Sequence, residues 1–204
     1  MLPNRLLIRV LMLAGAVAVA VPAAADEAAA LAGHDHASPH RAIAGTVNYS
    51  VPHVTLVRND GRNVSLPEEM DDGRPVLLNF IFTSCGSTCP LMSQVFGEFQ
   101  RKLGTEAGHV HLMSISIDPE QDTPERLTEY ASQFGAGREW HHYTGTVEAS
   151  LAAQRAFDVY RGDKMSHAPV TLMRAAPGKP WRRIDGFVTP EELLRQYRQL
   201  LAAQ

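Results

Sequence analysis

The run Val76-Leu77-Leu78-Asn79-Phe80-Ile81-Phe82 constrains this chain more than any other stretch. Apart from Asn79 it is apolar throughout and does not alternate, which is the pattern of a strand covered on both faces. Such a strand needs layers above and below it. The residues that follow, Thr83-Ser84-Cys85-Gly86-Ser87-Thr88-Cys89-Pro90, hold both cysteines of the 204-residue chain. Pro90 suits the first turn of a helix. A buried strand thus delivers a short loop with two thiols to a helix start.

The flanking sequence alternates in kind. Residues 46–57 read as extended, and Asn59-Asp60-Gly61 turns them into a second short strand at 63–66, a hairpin. A helix is predicted over 90–103, a second buried strand over 110–117, and a helix to 134. Thr123-Pro124-Glu125 marks the start of that helix with an N-cap, a proline at the first position and an acid in the first turn. A short strand at 140–143 and a helix over 146–160 come next. Strands at 170–174 and 181–187 then form a second hairpin through Pro177-Gly178. Thr189-Pro190-Glu191-Glu192 opens the last helix, which runs through 200. This order predicts an α/β sandwich with a mixed central sheet flanked by helices.

The front end is of another kind. Arg5 and Arg9 precede an uncharged apolar run over 10–21, and Ala23-Ala24-Ala25 gives the small-x-small pattern cut by signal peptidase. The run falls well short of the roughly 20 residues a spanning helix needs. The expectation is a signal peptide over 1–25, cleaved after Ala25, and a periplasmic mature protein; a membrane anchor facing the periplasm is the alternative, and membrane association follows only if the signal stays uncleaved. Residues 26–44, rich in Ala and polar residues, read as a flexible leader. That leader carries His34, His36 and His40, which either catch divalent metal weakly or are incidental to a solvated tail. Residues 45–204 form the folded domain. With 19 Lys and Arg against 22 Asp and Glu, the chain has no cationic surplus for phosphates, so nucleic acid is excluded as a partner.

Two cysteines are too few for a disulfide scaffold, and a bridge closing so small a loop would remove only about 2 kcal/mol of unfolded-state entropy. Their use is therefore chemical. At a helix start, the dipole and free amides favour thiolate over thiol for both sulfurs. Cysteines four apart can share a disulfide or chelate one ion, and two thiolates suit copper, above all Cu(I). A third ligand is sought among the histidines. His167, in Met165-Ser166-His167-Ala168-Pro169, stands in a loop before a strand and is the candidate. His141 and His142 point to opposite faces of a strand, one to the surface and one to packing. His109 and His111 look peripheral. Zinc fits less well, because only three ligands are visible where a structural site takes four.

The motif Phe80-Ile81-Phe82-Thr83-Ser84-Cys85-x-x-x-Cys89-Pro90, with Ser116-Ile117-Asp118-Pro119-Glu120-x-Asp122-Thr123-Pro124 and a late His167, resembles the Sco/SenC family over residues 46–203. The resemblance implies a thioredoxin-like fold with an added N-terminal β-hairpin. It also implies one copper, Cu(I) or Cu(II), per chain, held by Cys85, Cys89 and His167. Family members are implicated in delivering copper to cytochrome c oxidase or in keeping the cysteines of its copper centre reduced. The implied partners are the copper ion and an oxidase copper-centre subunit or another copper chaperone. Asp118 and Asp122 match the family's acidic segment, as groups that orient the site or, equally, as loop caps. Pro169 is similar to the cis-proline of thioredoxins, and a cis Ala168–Pro169 bond is expected. Two functions follow: an exported copper metallochaperone, and a thiol:disulfide oxidoreductase in which Cys85 attacks and Cys89 resolves without obligatory copper. A thioredoxin-like peroxidase fits the paired cysteines and His167 less well.

Overall fold

The computed structural model describes residues 42–203, so the expected signal peptide and nearly all of the expected leader, with His34, His36 and His40, lie outside the described residues. The central run forms β4 (Val76–Ile81), with all six residues buried. Around it are β1 (Ile43–Val47), β2 (Thr55–Arg58), β3 (Asn63–Ser65), β5 (His111–Ser116), β6 (Trp140–Gly145), β7 (Val170–Arg174) and β8 (Trp181–Asp185). They make one sheet in the order β1-β8-β7-β4-β5-β6-β2-β3. The pairs β4–β5 and β5–β6 are parallel, and the rest are antiparallel. The sheet is mixed, as expected, and open.

Side chains leave β4 alternately toward two cores. Val76, Leu78 and Phe80 join Met113, Ile115, Tyr143, Leu172 and the helix α4 (Val147–Ala156) on one face. Leu77 joins Leu112, Trp140 and Met173 on the other, under α2 (Thr88–Leu103) and α5 (Pro190–Ala202). The polar exception, Asn79, is paired across the sheet: its carbonyl oxygen accepts from Ser114 Oγ at 2.6 Å, and that hydroxyl accepts from Trp140 Nε1 at 2.9 Å. The helix α3 (Pro124–Gln133) starts where predicted, with Thr123 Oγ1 accepting from the Arg126 amide. Thr189 caps α5 in the same way.

Three expectations are corrected. The single extended stretch over 46–57 belongs to two strands on opposite sides of the sheet: β1 pairs with β8 at one edge, and only β2, between β6 and the edge strand β3, enters the hairpin. Pro52 has no amide for a ladder, and its carbonyl instead closes a turn onto the Val54 amide at 2.9 Å. A short helix α1 (Leu66–Met70) follows β3, with Pro67 in its first turn and Glu68 and Glu69 at its positive end. The Ala168–Pro169 bond is trans, since no cis peptide occurs among the described residues.

Topology sets the site. Because β4, β5 and β6 are parallel, their C-terminal ends lie side by side at one end of the sheet's strands, and the loops with Cys85, Asp118 and Asp122 emerge there. Antiparallel β7 begins at that same end, which brings His167 to it. The α2 helix behind Cys89 is fixed against α3 through Gly97, where a Cβ would collide with the Phe134 carbonyl oxygen. Gly97→Ala is therefore expected to destabilise the fold by about 1–3 kcal/mol, read as a lower urea midpoint with an unchanged m-value.

Candidate functional site

The loop after β4 turns at once, the Cys85 amide donating to the Phe82 carbonyl at 3.2 Å. Cys85 is half-buried beside this turn. Cys89, in the first turn of α2, is buried at 1 % exposure against Ile81, Phe82, Leu127 and Tyr130. Both thiols are free, and the Cys89 amide donates to Cys85 Sγ at 3.4 Å. The two sulfurs are not equivalent. Partial burial pulls the Cys85 pKa up, but donation from the Cys89 and Ser87 groups outweighs it and holds the thiol below its ordinary value. Burial pushes Cys89 well above the ordinary thiol range, and the neighbouring negative charges of Cys85 and Asp122 add to this. The expectation that the helix start favours thiolate at both positions is corrected: it holds for Cys85, and desolvation overrules it at Cys89.

Asp122 is fully buried and braces the loop. Its carboxylate accepts from the Thr83 amide at 3.2 Å, from Thr83 Oγ1 at 2.6 Å and from Ser116 Oγ at 2.6 Å. Asp118, also buried, donates its amide to Ser116 Oγ at 3.0 Å and pairs its carboxylate with Lys164 Nζ at 2.5 Å. Helix capping falls to Thr123, which leaves both carboxylates as braces between loops.

His167 is half-buried where the chain comes in toward β7. Its Nε2 lies 2.9 Å from the Phe80 carbonyl oxygen. A carbonyl only accepts, so Nε2 carries the hydrogen and Nδ1 the free lone pair. Burial lowers the imidazole pKa; the Phe80 bond opposes this and Arg161 reinforces it, so the ring is neutral near pH 7. His167 lines a cavity of about 360 Å³ with Ile117, Asp118, Tyr160 and Lys164. Cys85 lines another, of about 300 Å³, with Thr83, Pro90, Arg126 and Tyr130. Among the described residues, no three His, Cys, Asp or Glu side chains stand together as a metal-holding group. The structure thus joins Cys85 to Cys89 and keeps His167 on its own bond to the β4 backbone.

The remaining histidines divide. His142 is buried beside Trp140, with ring centroids 5.0 Å apart, and His141 is half-buried on the other face, as alternation predicts. His109 is exposed, but His111 is not peripheral: at 1 % exposure its Nε2 meets Tyr143 Oη at 2.9 Å. Two further residues beneath the site, Ser93 and Tyr130, share a buried hydroxyl bond of 2.8 Å. Ser93 lies four residues after Cys89, one turn deeper on α2, and that spacing was the available signal.

A free, asymmetric thiol pair at a strand–loop–helix junction, on a mixed sheet of this topology, defines a thioredoxin-like dithiol protein. The SCO1/SenC family profile matches residues 46–202, and the chain belongs to that family. A Bacillus subtilis SCO1 protein homolog is 36 % identical over 110 residues, covering 53 % of this chain and 56 % of the relative. A Stutzerimonas stutzeri protein named for copper binding is 32 % identical over 92 residues, covering 43 % of each chain. The matches thus span about half the length of these relatives. The solved structure of BsSco, described as a member of the Sco family of cytochrome c oxidase assembly proteins with a disulfide switch, is 27 % identical with a TM-score of 0.65. It covers 79 % of this chain and 99 % of that one.

The split between the thiols predicts their reactivity. Near pH 7 iodoacetamide should modify Cys85 at least about tenfold faster than Cys89, because only the thiolate attacks. Peptide mapping after timed quenching reads the two rates. Asp122→Asn, which removes a negative charge near Cys89, should narrow the gap by speeding Cys89; equal rates in the unmodified chain would contradict the asymmetry.

Proposed function

We propose that this protein binds copper through Cys85, Cys89 and His167, one ion per chain, and passes it on as a metallochaperone of Sco/SenC type. Cytochrome c oxidase is the proposed destination, reached through an oxidase copper-centre subunit or another copper chaperone. The observation that carries this reading is the adjacent pair of reduced sulfurs, whose soft donors suit Cu(I). The neutral His167 ring, with Nδ1 unprotonated at the same end of the strands, supplies the third donor. Its loop, 160–169, is largely exposed, and on this reading the His167–Phe80 bond gives way as the imidazole turns to the sulfurs. The copper-binding name of the Stutzerimonas relative agrees with this assignment. A three-donor site at an exposed loop leaves room for a partner's ligands, so the ion moves by exchange without release to water.

A second reading rests on a separate observation. An accessible Cys85 of lowered pKa beside a shielded, protonated Cys89 is the arrangement of an attacking and a resolving thiol. The protein then acts as a thiol:disulfide oxidoreductase, and the disulfide switch of BsSco points the same way. The readings are compatible, because copper binding and reduction of a partner both need the pair reduced. We place the protein in the periplasm, exported by residues 1–25 and cleaved after Ala25, with anchoring through an uncleaved signal as the alternative. No helix among the described residues is long and apolar enough to cross a membrane.

Metal content tests the copper reading. Anaerobically reduced protein, challenged with a Cu(I) chelator, should retain about one copper per chain, lost from Cys85→Ser and from His167→Ala. Equal retention by both variants removes the reading. The exchange reading is checked by mixing reduced protein with a disulfide peptide: Cys89→Ser should trap a mixed disulfide at Cys85, while Cys85→Ser should not react.

A further inference from the structure

The described residues contain five methionines, and four of them, Met70, Met92, Met113 and Met173, are core residues at 2 % exposure or less. Met165 is 73 % exposed. It does not sit on a loose tip. Its amide donates to Asp163 Oδ1 at 3.0 Å, the Ser166 amide to the Asp163 carbonyl at 3.0 Å, and the His167 amide to the Lys164 carbonyl at 3.1 Å. Lys164 in turn is held by Asp118 at 2.5 Å. A braced turn thus presents a thioether to solvent two residues before an imidazole whose Nδ1 is free.

We propose that Met165 and His167 form an outer Cu(I) station, thioether sulfur plus imidazole Nδ1, which receives the ion and hands it inward to Cys85 and Cys89. The inference rests on the copper reading above and extends it to a residue outside the Cys, Cys, His set. Thioether and imidazole are both accepted ligands of copper, and thioether favours the Cu(I) state. Two donors hold less tightly than a set that includes two thiolates, so the gradient runs inward.

One hydrogen-bonded brace connects the two stations. A continuous set of bonds runs from Lys164 to Asp118, from the Asp118 amide to Ser116 Oγ at 3.0 Å, from Ser116 to Asp122 at 2.6 Å, and from Asp122 to Thr83 Oγ1 at 2.6 Å. Thr83 is two residues before Cys85. The turn that carries Met165 and His167 and the dithiol loop are therefore tied to the same brace, with Met165 in solvent and His167 and Cys85 lining separate cavities. During transfer copper stays Cu(I). The bonds to the Met165 thioether and the His167 nitrogen give way as bonds to the two sulfurs form, and the thiol protons go to water. His167 can rebind in the final set.

The test uses the full chain with ¹³C-methyl methionine, so that His34, His36 and His40 are the same in every arm. In the Cys85→Ser/Cys89→Ser variant, one equivalent of Ag(I), a redox-inert stand-in for Cu(I), should shift the Met165 methyl resonance and leave the four core methionine methyls in place. Met165→Leu, a conservative change at an exposed position, assigns the peak. With both cysteines intact, Met165→Leu should slow Cu(I) uptake from a colorimetric chelator severalfold without changing the copper held at equilibrium. An unmoved Met165 methyl, or an unchanged uptake rate, overturns the station while the copper reading stands. Loss of equilibrium copper in Met165→Leu also overturns it, by making Met165 a resident ligand. A reduced wild-type chain that holds no copper at all overturns the reading beneath it.

Discussion

One buried carboxylate holds the site together. Asp122 is cut off from water, and an ion in that position costs several kcal/mol unless its lone pairs are met. They are met by the Thr83 amide and hydroxyl and by the Ser116 hydroxyl. Thr83 leaves β4 and Ser116 ends β5, so the carboxylate ties the two central parallel strands where their chains part. The dithiol loop starts from that tie. Through Ser116 the same brace reaches Asp118, and through Lys164 the turn before His167. Breaking the Asp122 interactions would free the loops on both sides of the site, and it would leave the sheet cores, which lie deeper, in contact.

The brace also explains the unequal sulfurs. Fixing Thr83 sets the turn in which the Cys85 amide reaches back to Phe82, and this leaves Cys85 Sγ facing the Cys89 amide. Four residues on, the helix drives Cys89 into a cluster of Ile81, Phe82, Leu127 and Tyr130. One sulfur meets amide donors at the surface and the other meets hydrocarbon. A pair matched in sequence thus becomes a pair of different acidities. Such a pair can offer one thiolate to a partner while the second keeps its proton until a metal or a disulfide replaces it.

Much of the fold was legible because its signals are local. The apolar run over 76–82 declared a strand covered on both faces, and Thr123-Pro124 and Thr189-Pro190 declared their helices through capping chemistry that needs only neighbours. Where a reading failed, a distant contact had decided. His111 looked peripheral at a strand start, yet the sheet carries it under Tyr143. Residues 46–57 looked like one strand, yet β8 claims one part and β6 the other, with Pro52 breaking the ladder between them.

The sequence by itself determined the chemistry: two soft donors four residues apart at a helix start, a later histidine, and the alternation that lays down an α/β sheet. Propensity, capping and hydrophobic period act over a few residues, and a linear reading reaches that far. The tertiary structure decided which sulfur ionises, which tautomer His167 adopts, and which groups meet. Those outcomes depend on burial and on partners such as Phe80, Asp122 and Lys164, whose distance along the chain carries no record of their distance in space.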